Sequence, residues 1–382
     1  MLLQRLTLRD FRNFSAAEVD FGARFTVFHG PNGVGKTNLL EALYLTSTLR
    51  SFRSADLAPL VFQGAQEARV EVQGHDAQLG LGTRLSVHLH YDGRQTRRLA
   101  YAEGKLVRSG PDFYGRLRAI LFTPEDLGVL RGSPNGRRQF LDRALFARDR
   151  THIADVQEYD KILRSRNRVL RGDEGVSRGQ QEALLDVYDV GLAAVGARIW
   201  ARRERLLADL LPSFCDTFAQ IHGHGVRATL AYLSKLGPAA EPQTLLTEAL
   251  RAQRRHDLAR GTTTVGPHRD DFDALLDGKT SADFASQGQA RALILAFKIA
   301  ELKDARDRSR EAPLLLLDDV SSELDPQRSA QLFDALLREA GQCVLTTTAA
   351  HYIGLTEGGD CRYIEVAKGR LVKCPRDAPD PA

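Results

Sequence analysis

Gly30-Pro31-Asn32-Gly33-Val34-Gly35-Lys36-Thr37 decides how the rest of this chain is read. The eight residues fit G-x-x-x-x-G-K-[ST], the phosphate-binding loop of P-loop nucleotidases. Before it, Phe25, Val27 and Phe28 predict a short buried strand. After it, Leu39, Leu40, Ala42, Leu43 and Leu45 predict a helix over 38–48. A helix N-terminus offers unpaired N–H groups and partial positive charge, and both attract phosphate. Glycine lets the backbone wrap an anion where a Cβ would clash. Lys36 is then expected to reach the β- and γ-phosphates of ATP, and Thr37 to hold Mg²⁺. A Gly-rich turn before an ordinary helix is the plain alternative, and the strand–loop–helix context argues against it.

A second motif stands near the other end. Leu314-Leu315-Leu316-Leu317 followed by Asp318 and Asp319 predicts a parallel strand buried on both faces and ending in two acids, a Walker B pattern. Asp318 is expected to face Mg²⁺. Asp319 stands where many P-loop ATPases place the carboxylate that orients the attacking water. Between the motifs lies Ser286-Gln287-Gly288-Gln289, opening a helix over 290–302. It resembles the signature loop of ABC-type ATPases, while by itself it also reads as a Ser N-cap. Ser321-Ser322-Glu323-Leu324-Asp325, after Walker B, resembles their D-loop. The order P-loop, signature, Walker B, D-loop is the specific feature. In ABC ATPases the signature of one subunit closes on ATP held by the other. Ser286, Gly288 and Gln289 are therefore expected to touch nucleotide across a two-fold homodimer.

The size and composition are compatible with this reading. A chain of 382 residues allows two or three domains, and 43% hydrophobic with 27% charged residues is ordinary for a folded protein. A net charge of +4 permits a nucleic-acid partner without requiring one. Cys215, Cys343, Cys361 and Cys374 form no C-x-x-C pair, which argues against a zinc ribbon and fits a reducing cytosol. No signal peptide or membrane span is expected.

Taken in order, Leu3, Leu6, Leu8 and Phe11, then Val19, Phe21 and Phe25, predict short strands leading into the P-loop. Alternation over 68–73, 84–91 and 96–101, with turns at Asp92-Gly93 and Glu103-Gly104, predicts an antiparallel subdomain. From Gly132 the pattern turns helical and basic. Helices are expected from Gly136, over 152–170, and over 180–210. The last is about 45 Å long at 1.5 Å per residue, and Pro212 is expected to end it. After Gly261 the α/β pattern returns. The fold expected is an α/β, ABC-type P-loop ATPase head, with a mainly parallel core sheet and an antiparallel β-subdomain, interrupted by an all-helical arm. The expected division is 1–122 and 256–382 for the two halves of the head and 123–255 for the insert.

These residues resemble the RecF family, in the SMC-like branch of ABC proteins. The resemblance runs through Asp10-Phe11-Arg12-Asn13-Phe14, the P-loop, Phe122-Thr123-Pro124-Glu125-Asp126 and Arg137-Arg138-Gln139-Phe140-Leu141-Asp142. It continues through Gly266-Pro267-His268-Arg269-Asp270-Asp271, the signature and the block from Leu314 to Asp325. It implies a cytoplasmic, nucleoid-associated ATPase of the DNA-damage and SOS responses that binds DNA when ATP-bound. It also implies action at gapped DNA with RecO and RecR, helping RecA load. There are departures. Asp319 stands where ABC proteins have Glu, which suggests slow turnover. Thr346-Thr347-Thr348-Ala349 stands where a switch His is usual, and His351 is not assigned that role. The glutamine that usually reaches Mg²⁺ has no counterpart beyond Glu125, which lies in the right region.

Between Arg131 and Arg171 stand eleven Lys or Arg and five Asp or Glu, an excess of +6. Arg164, Arg166, Arg168 and Arg171 are expected to meet DNA phosphates without reading sequence, with Arg198, Arg202, Arg203 and Arg205 on the next helix. A solvated helix surface is the bland alternative. Three other functions compete. A transporter's nucleotide-binding subunit would carry a switch His and lack the long basic insert. A full SMC protein would need far more than the roughly 250 residues between Thr37 and Ser286. A switch GTPase would need N-K-x-D, which is absent.

Overall fold

Period-two alternation near the N-terminus becomes a sheet with one buried face. β1 (Leu2–Phe11) and β2 (Phe14–Asp20) form a hairpin, with Leu6, Leu8, Phe11, Phe14 and Val19 buried. The spacing from Leu3 to Leu6 breaks the alternation, and a register shift between Leu3 and Arg5 restores it. β3 (Phe25–His29) belongs to another sheet and runs through the P-loop into α1 (Lys36–Thr48). The first sheet continues with β4 (Glu67–His75), β5 (Gly82–Tyr91), β6 (Thr96–Ala102) and β7 (Lys105–Val107). Its order is β2-β1-β4-β5-β6-β7, antiparallel throughout. α2 (Gly110–Phe113) then leads to β8 (Ala119–Phe122).

The computed structural model describes residues 1–75, 81–172, 175, 177–237, 241–308, 312–319, 338, 341–348 and 361–372. Residues 321–325, Ala349, His351, Cys374 and the tail from Pro375 lie outside the described residues. The chain divides into two compact units, Met1–Asp126 with Glu301–Ala382, and Leu127–Ala300. The expected boundary at 122/123 lies four residues from the first division. The expected boundary at 255/256 falls inside the second unit.

That second unit holds α3 (Pro134–Arg148), α4 (Arg150–Arg171) and α5 (Arg178–His222). The helix expected to end at Pro212 does not: α5 runs 45 residues and keeps Pro212 inside it. Proline costs a helix one hydrogen bond and a steric conflict one turn back. Beyond it, Phe214 and Phe218 are wholly buried, and their burial carries the helix on. The insert also carries a strand, β9 (Ala228–Leu233), followed by α6 (Pro242–Arg260). β9 pairs with β10 (Asp271–Leu276), and β11 (Lys279–Thr280) completes a three-stranded antiparallel sheet. That pairing places 256–300 with the insert. Tyr159, Leu192, Ile199, Trp200, Leu246 and Leu250 form the core between α4, α5 and α6. α7 (Ser281–Phe284) precedes α8 (Gln287–Arg308), and the division between the units falls within α8.

The chain returns to the head with β12 (Leu314–Asp318), β13 (Gln342–Thr347), β14 (Cys361–Ala367) and β15 (Arg370–Val372). The second sheet has the order β15-β14-β3-β13-β12-β8, parallel except for β15. All five residues of β12 are buried, as a central parallel strand requires. Gln342 ties the two sheets of this unit together. Its amide accepts from Leu3 N at 2.8 Å and donates to Leu3 O at 2.8 Å and Gly22 O at 3.0 Å. The P-loop, Thr346 and Asp318 stand at the carboxyl ends of the neighbours β3, β13 and β12, where open parallel sheets take their ligands.

Candidate functional site

The P-loop is shaped from outside as well as by its own glycines. Gly30 and Gly35 have φ of +145° and +113°. A Cβ on Gly30 would lie 2.4 Å from Val366 O, and one on Gly35 would lie 2.5 Å from the Asn13 amide. Asn13, in the β1–β2 turn, donates to Val34 O at 2.8 Å and accepts from Asn38 at 2.7 Å. Gly369 N donates to the same Val34 O at 3.2 Å. Two turns distant in sequence therefore grip Val34 and hold the loop open for an anion.

Lys36 is buried, and its Nζ donates to Gly30 O at 2.6 Å and Pro31 O at 2.9 Å. Burial lowers its pKa, and the charges of Asp319 and Asp318 oppose that shift. Thr37 Oγ1 donates to Asp318 Oδ1 at 2.8 Å, joining residues 281 apart in sequence. Burial raises the Asp318 pKa, and the hydrogen bonds from Thr346 and Thr37 work against it. Glu125 acts on Asp318 as a nearby negative charge and Arg53 as a positive one, so both stand on this side of the site. Asp319 has φ +45°, a left-handed conformation costly for a residue with a Cβ.

Gly33, Lys36, Thr37, Asn32, Asp318 and Asp319 line one cavity of about 630 Å³. Sequence reasoning left out Arg12 and Arg53, which line it too. Arg12 stands in a quoted stretch and Arg53 in none, and nothing local sets the role of either. That role comes from Glu41, wholly buried on α1 one turn after Thr37. Arg12 donates to both Glu41 oxygens at 2.8 and 2.7 Å and to Pro59 O at 3.1 Å. Arg53 donates to Asn38 Oδ1 at 3.0 Å. Two guanidiniums and an ammonium line the cavity beside Asp318 and Asp319, and supply N–H donors of the kind a polyphosphate takes. Mg²⁺ takes few protein ligands and completes its shell with phosphate and water. Thr37 and Asp318, in contact at the cavity wall, fit that demand. Among the described residues no cluster of three or more His, Cys, Asp or Glu forms a fuller cage.

In the second unit, Ser286 caps α8. Its Oγ accepts from Gln289 N at 3.1 Å, while Ser286 N donates to Gln289 Oε1 at 2.8 Å. The N-cap alternative and the signature reading thus coincide in one exposed serine at a helix N-terminus. Gln289 gives its Oε1 to the cap, while its Nε2 lies 3.4 Å from His222 Nε2.

The basic helix needs one correction. Arg164, Arg168 and Arg171 are exposed on one face of α4, at i, i+4 and i+7. Arg166 points the other way and is 0% exposed. It donates to Asp189 at 2.7 Å, Asp257 at 2.8 Å and Thr263 at 2.8 Å. A guanidinium enclosed by two carboxylates cannot meet DNA, so Arg166 leaves the set. Arg203 is likewise buried against Asp142, and Arg198 pairs with Asp155. Arg202 pairs with Asp149 and Asp155. Of the eleven basic residues counted between Arg131 and Arg171, Arg137, Arg148 and Arg166 pair with acids outside that stretch.

Comparison with known proteins agrees with this geometry. Residues 2–357 match the family described as RecF/RecN/SMC N terminal domain. The DNA replication and repair protein RecF of Myxococcus xanthus (strain DK1622) is 40% identical over 390 residues, covering 100% of each chain. The chain belongs to the RecF family. RecF of Geobacter metallireducens is 38% identical, covering 97% of this chain and 99% of its own. Among solved structures, the recombination mediator protein RecF-ATP in the RecFOR pathway superposes with a TM-score of 0.85 at 30% identity, covering 98% and 97%. An Smc head bound to the C-winged helix domain of ScpA, 16% identical with a TM-score of 0.55 over 97% of each chain, shares the fold alone. RecF-family chains are SMC-like ABC-type ATPases, and this membership sets aside the transporter-subunit alternative. No helix among the described residues is long and apolar enough to cross a membrane.

Proposed function

We propose that this chain is a recombination-mediator ATPase of the RecFOR pathway. It binds ATP with Mg²⁺ and in that state closes as a two-fold homodimer on duplex or gapped DNA. The contact between Thr37 and Asp318 at 2.8 Å carries the reading, because it brings the two nucleotide motifs into one metal-ready pair. Lys36 neutralises the β- and γ-phosphates, and Thr37 and Asp318 hold Mg²⁺, which draws charge from the phosphate oxygens. Asp319 orients the attacking water. Its short side chain makes hydrolysis slow, so that ATP acts as a switch and its loss releases DNA. Ser286 and Gly288, on the helix N-terminus, close on the γ-phosphate held by the partner subunit. Arg164, Arg168 and Arg171 take phosphate without reading bases. RecO and RecR are the expected partners in loading RecA.

Lys36→Ala tests the site. The folded variant is expected to lose ATP binding by isothermal titration, and an unchanged affinity would remove the P-loop assignment.

A further inference from the structure

Thr346 stands at the carboxyl end of β13, between the strand that carries the P-loop and the strand that ends in Asp318. It is 2% exposed. Its Oγ1–H donates to Asp318 Oδ1 at 2.8 Å, and its Oγ1 accepts from Asp319 N at 3.0 Å. The same Asp319 N–H also reaches Thr346 O at 3.2 Å. A central parallel strand asks of this position only a buried, β-branched residue, and valine would serve. A buried hydroxyl is costly unless both its roles are filled, and here one hydroxyl serves both acids of the Walker B end.

We infer that Thr346 is a positioning residue for the metal-binding and water-orienting acids. The inference rests on the proposed roles of Asp318 and Asp319. Thr37 and Thr346 both donate to Oδ1 of Asp318. That leaves Oδ2 as the oxygen to face a cation and fixes the plane of the carboxylate. On the other side, Thr346 holds the amide of Asp319, whose backbone sits at φ +45°. Without that bond the Asp319 amide keeps the longer contact to the Thr346 carbonyl. The carboxylate that lines the cavity then loses its aim. Thr346 touches neither nucleotide nor water in this account. It acts through the two acids.

Thr346→Val removes the hydroxyl at constant shape, and Thr346→Ser keeps it. Equilibrium binding of a fluorescent ATP analogue is followed as MgCl₂ is titrated, with hydrolysis measured alongside at saturating Mg²⁺. Outer partners of metal ligands typically carry about 10- to 100-fold in affinity or activity. Thr346→Val is therefore expected to raise the Mg²⁺ midpoint by about tenfold or more and to lower kcat with little change in KM for ATP. Thr346→Ser should restore both. If the valine variant does not fold, Thr346→Ala carries the same expectation. Asp318→Asn separates the two levels. Should it shift the Mg²⁺ midpoint while a folded hydroxyl-free variant matches wild type, the inference is overturned and the metal reading stands. A serine variant as impaired as valine also overturns it. Asp318→Asn with an unchanged midpoint removes the metal reading itself.

Discussion

Arg166 and Arg168 stand two positions apart on one helix and do opposite things. Arg168 is exposed in the last turn of α4, where a cation suits the helix dipole. Arg166 is enclosed, and its two carboxylate partners lie 23 and 91 residues away in sequence. Removing one member of a buried ion pair leaves the other charge uncompensated, at about 3–5 kcal/mol. Arg166→Ala is therefore expected to lower unfolding stability by about 3 kcal/mol or more, while Arg168→Ala stays within about 0.5 kcal/mol. Urea denaturation followed by circular dichroism measures both. Equal small losses would mean that Asp189 and Asp257 do not depend on Arg166. Asp189 also accepts from Arg254 at 2.6 Å, which softens the loss without removing it.

At the scale of the element, the exposed arginines of α4 act as a row. Positions 164, 168 and 171 share an exposed face, so charge reversal of all three changes one surface. Each phosphate contact contributes about 0.9 to the slope of log affinity against log salt. Reversal to Glu is expected to cut that slope by about two to three, equally on two duplexes of unrelated sequence. Fluorescence anisotropy across a salt series reads it. A slope like that of wild type would make this row an ordinary solvated face. The neighbouring helix teaches a related point. Proline is a local stop signal, yet α5 passes through Pro212 because burial beyond it outweighs one lost hydrogen bond. Local chemistry ranks the places where a helix can end, and packing selects among them.

At the scale of the whole molecule, the proposed reaction needs two chains, and Ser286 is the place to test that. Ser286→Arg sets a bulky cation at the N-terminus of α8, against the partner's Lys36, and leaves the variant's own P-loop intact. It is expected to bind ATP and fail to dimerise with it, as seen by light scattering. ATP-dependent DNA binding and hydrolysis should fall with dimerisation. Mixed with Lys36→Ala, it should regain part of its ATP-driven association, since one composite site then has two wild-type halves. Normal ATP-dependent dimers from Ser286→Arg alone would end the sandwich arrangement.

By itself the sequence determined the parts whose chemistry is local. The P-loop needs glycine, lysine and threonine at set spacing. The Walker B strand needs an unbroken apolar run before its acid. The antiparallel sheet shows its period of two. Each signal lies within about ten residues, so it could be read without the fold. Only the tertiary structure decided which charges are free and which groups share a site. Arg166 counted as a phosphate contact until Asp189 and Asp257 were brought to it. Arg12 and Arg53 became part of a nucleotide cavity, with Glu41 buried behind them, only once the β1–β2 turn met α1. Thr346 was only the first residue of a stretch without its usual switch histidine until β13 was placed beside Asp318. The physical reason is the same in each case. Burial and pairing depend on long-range neighbours, and a spacing rule carries no information about what packs against a side chain from a strand or helix far along the chain.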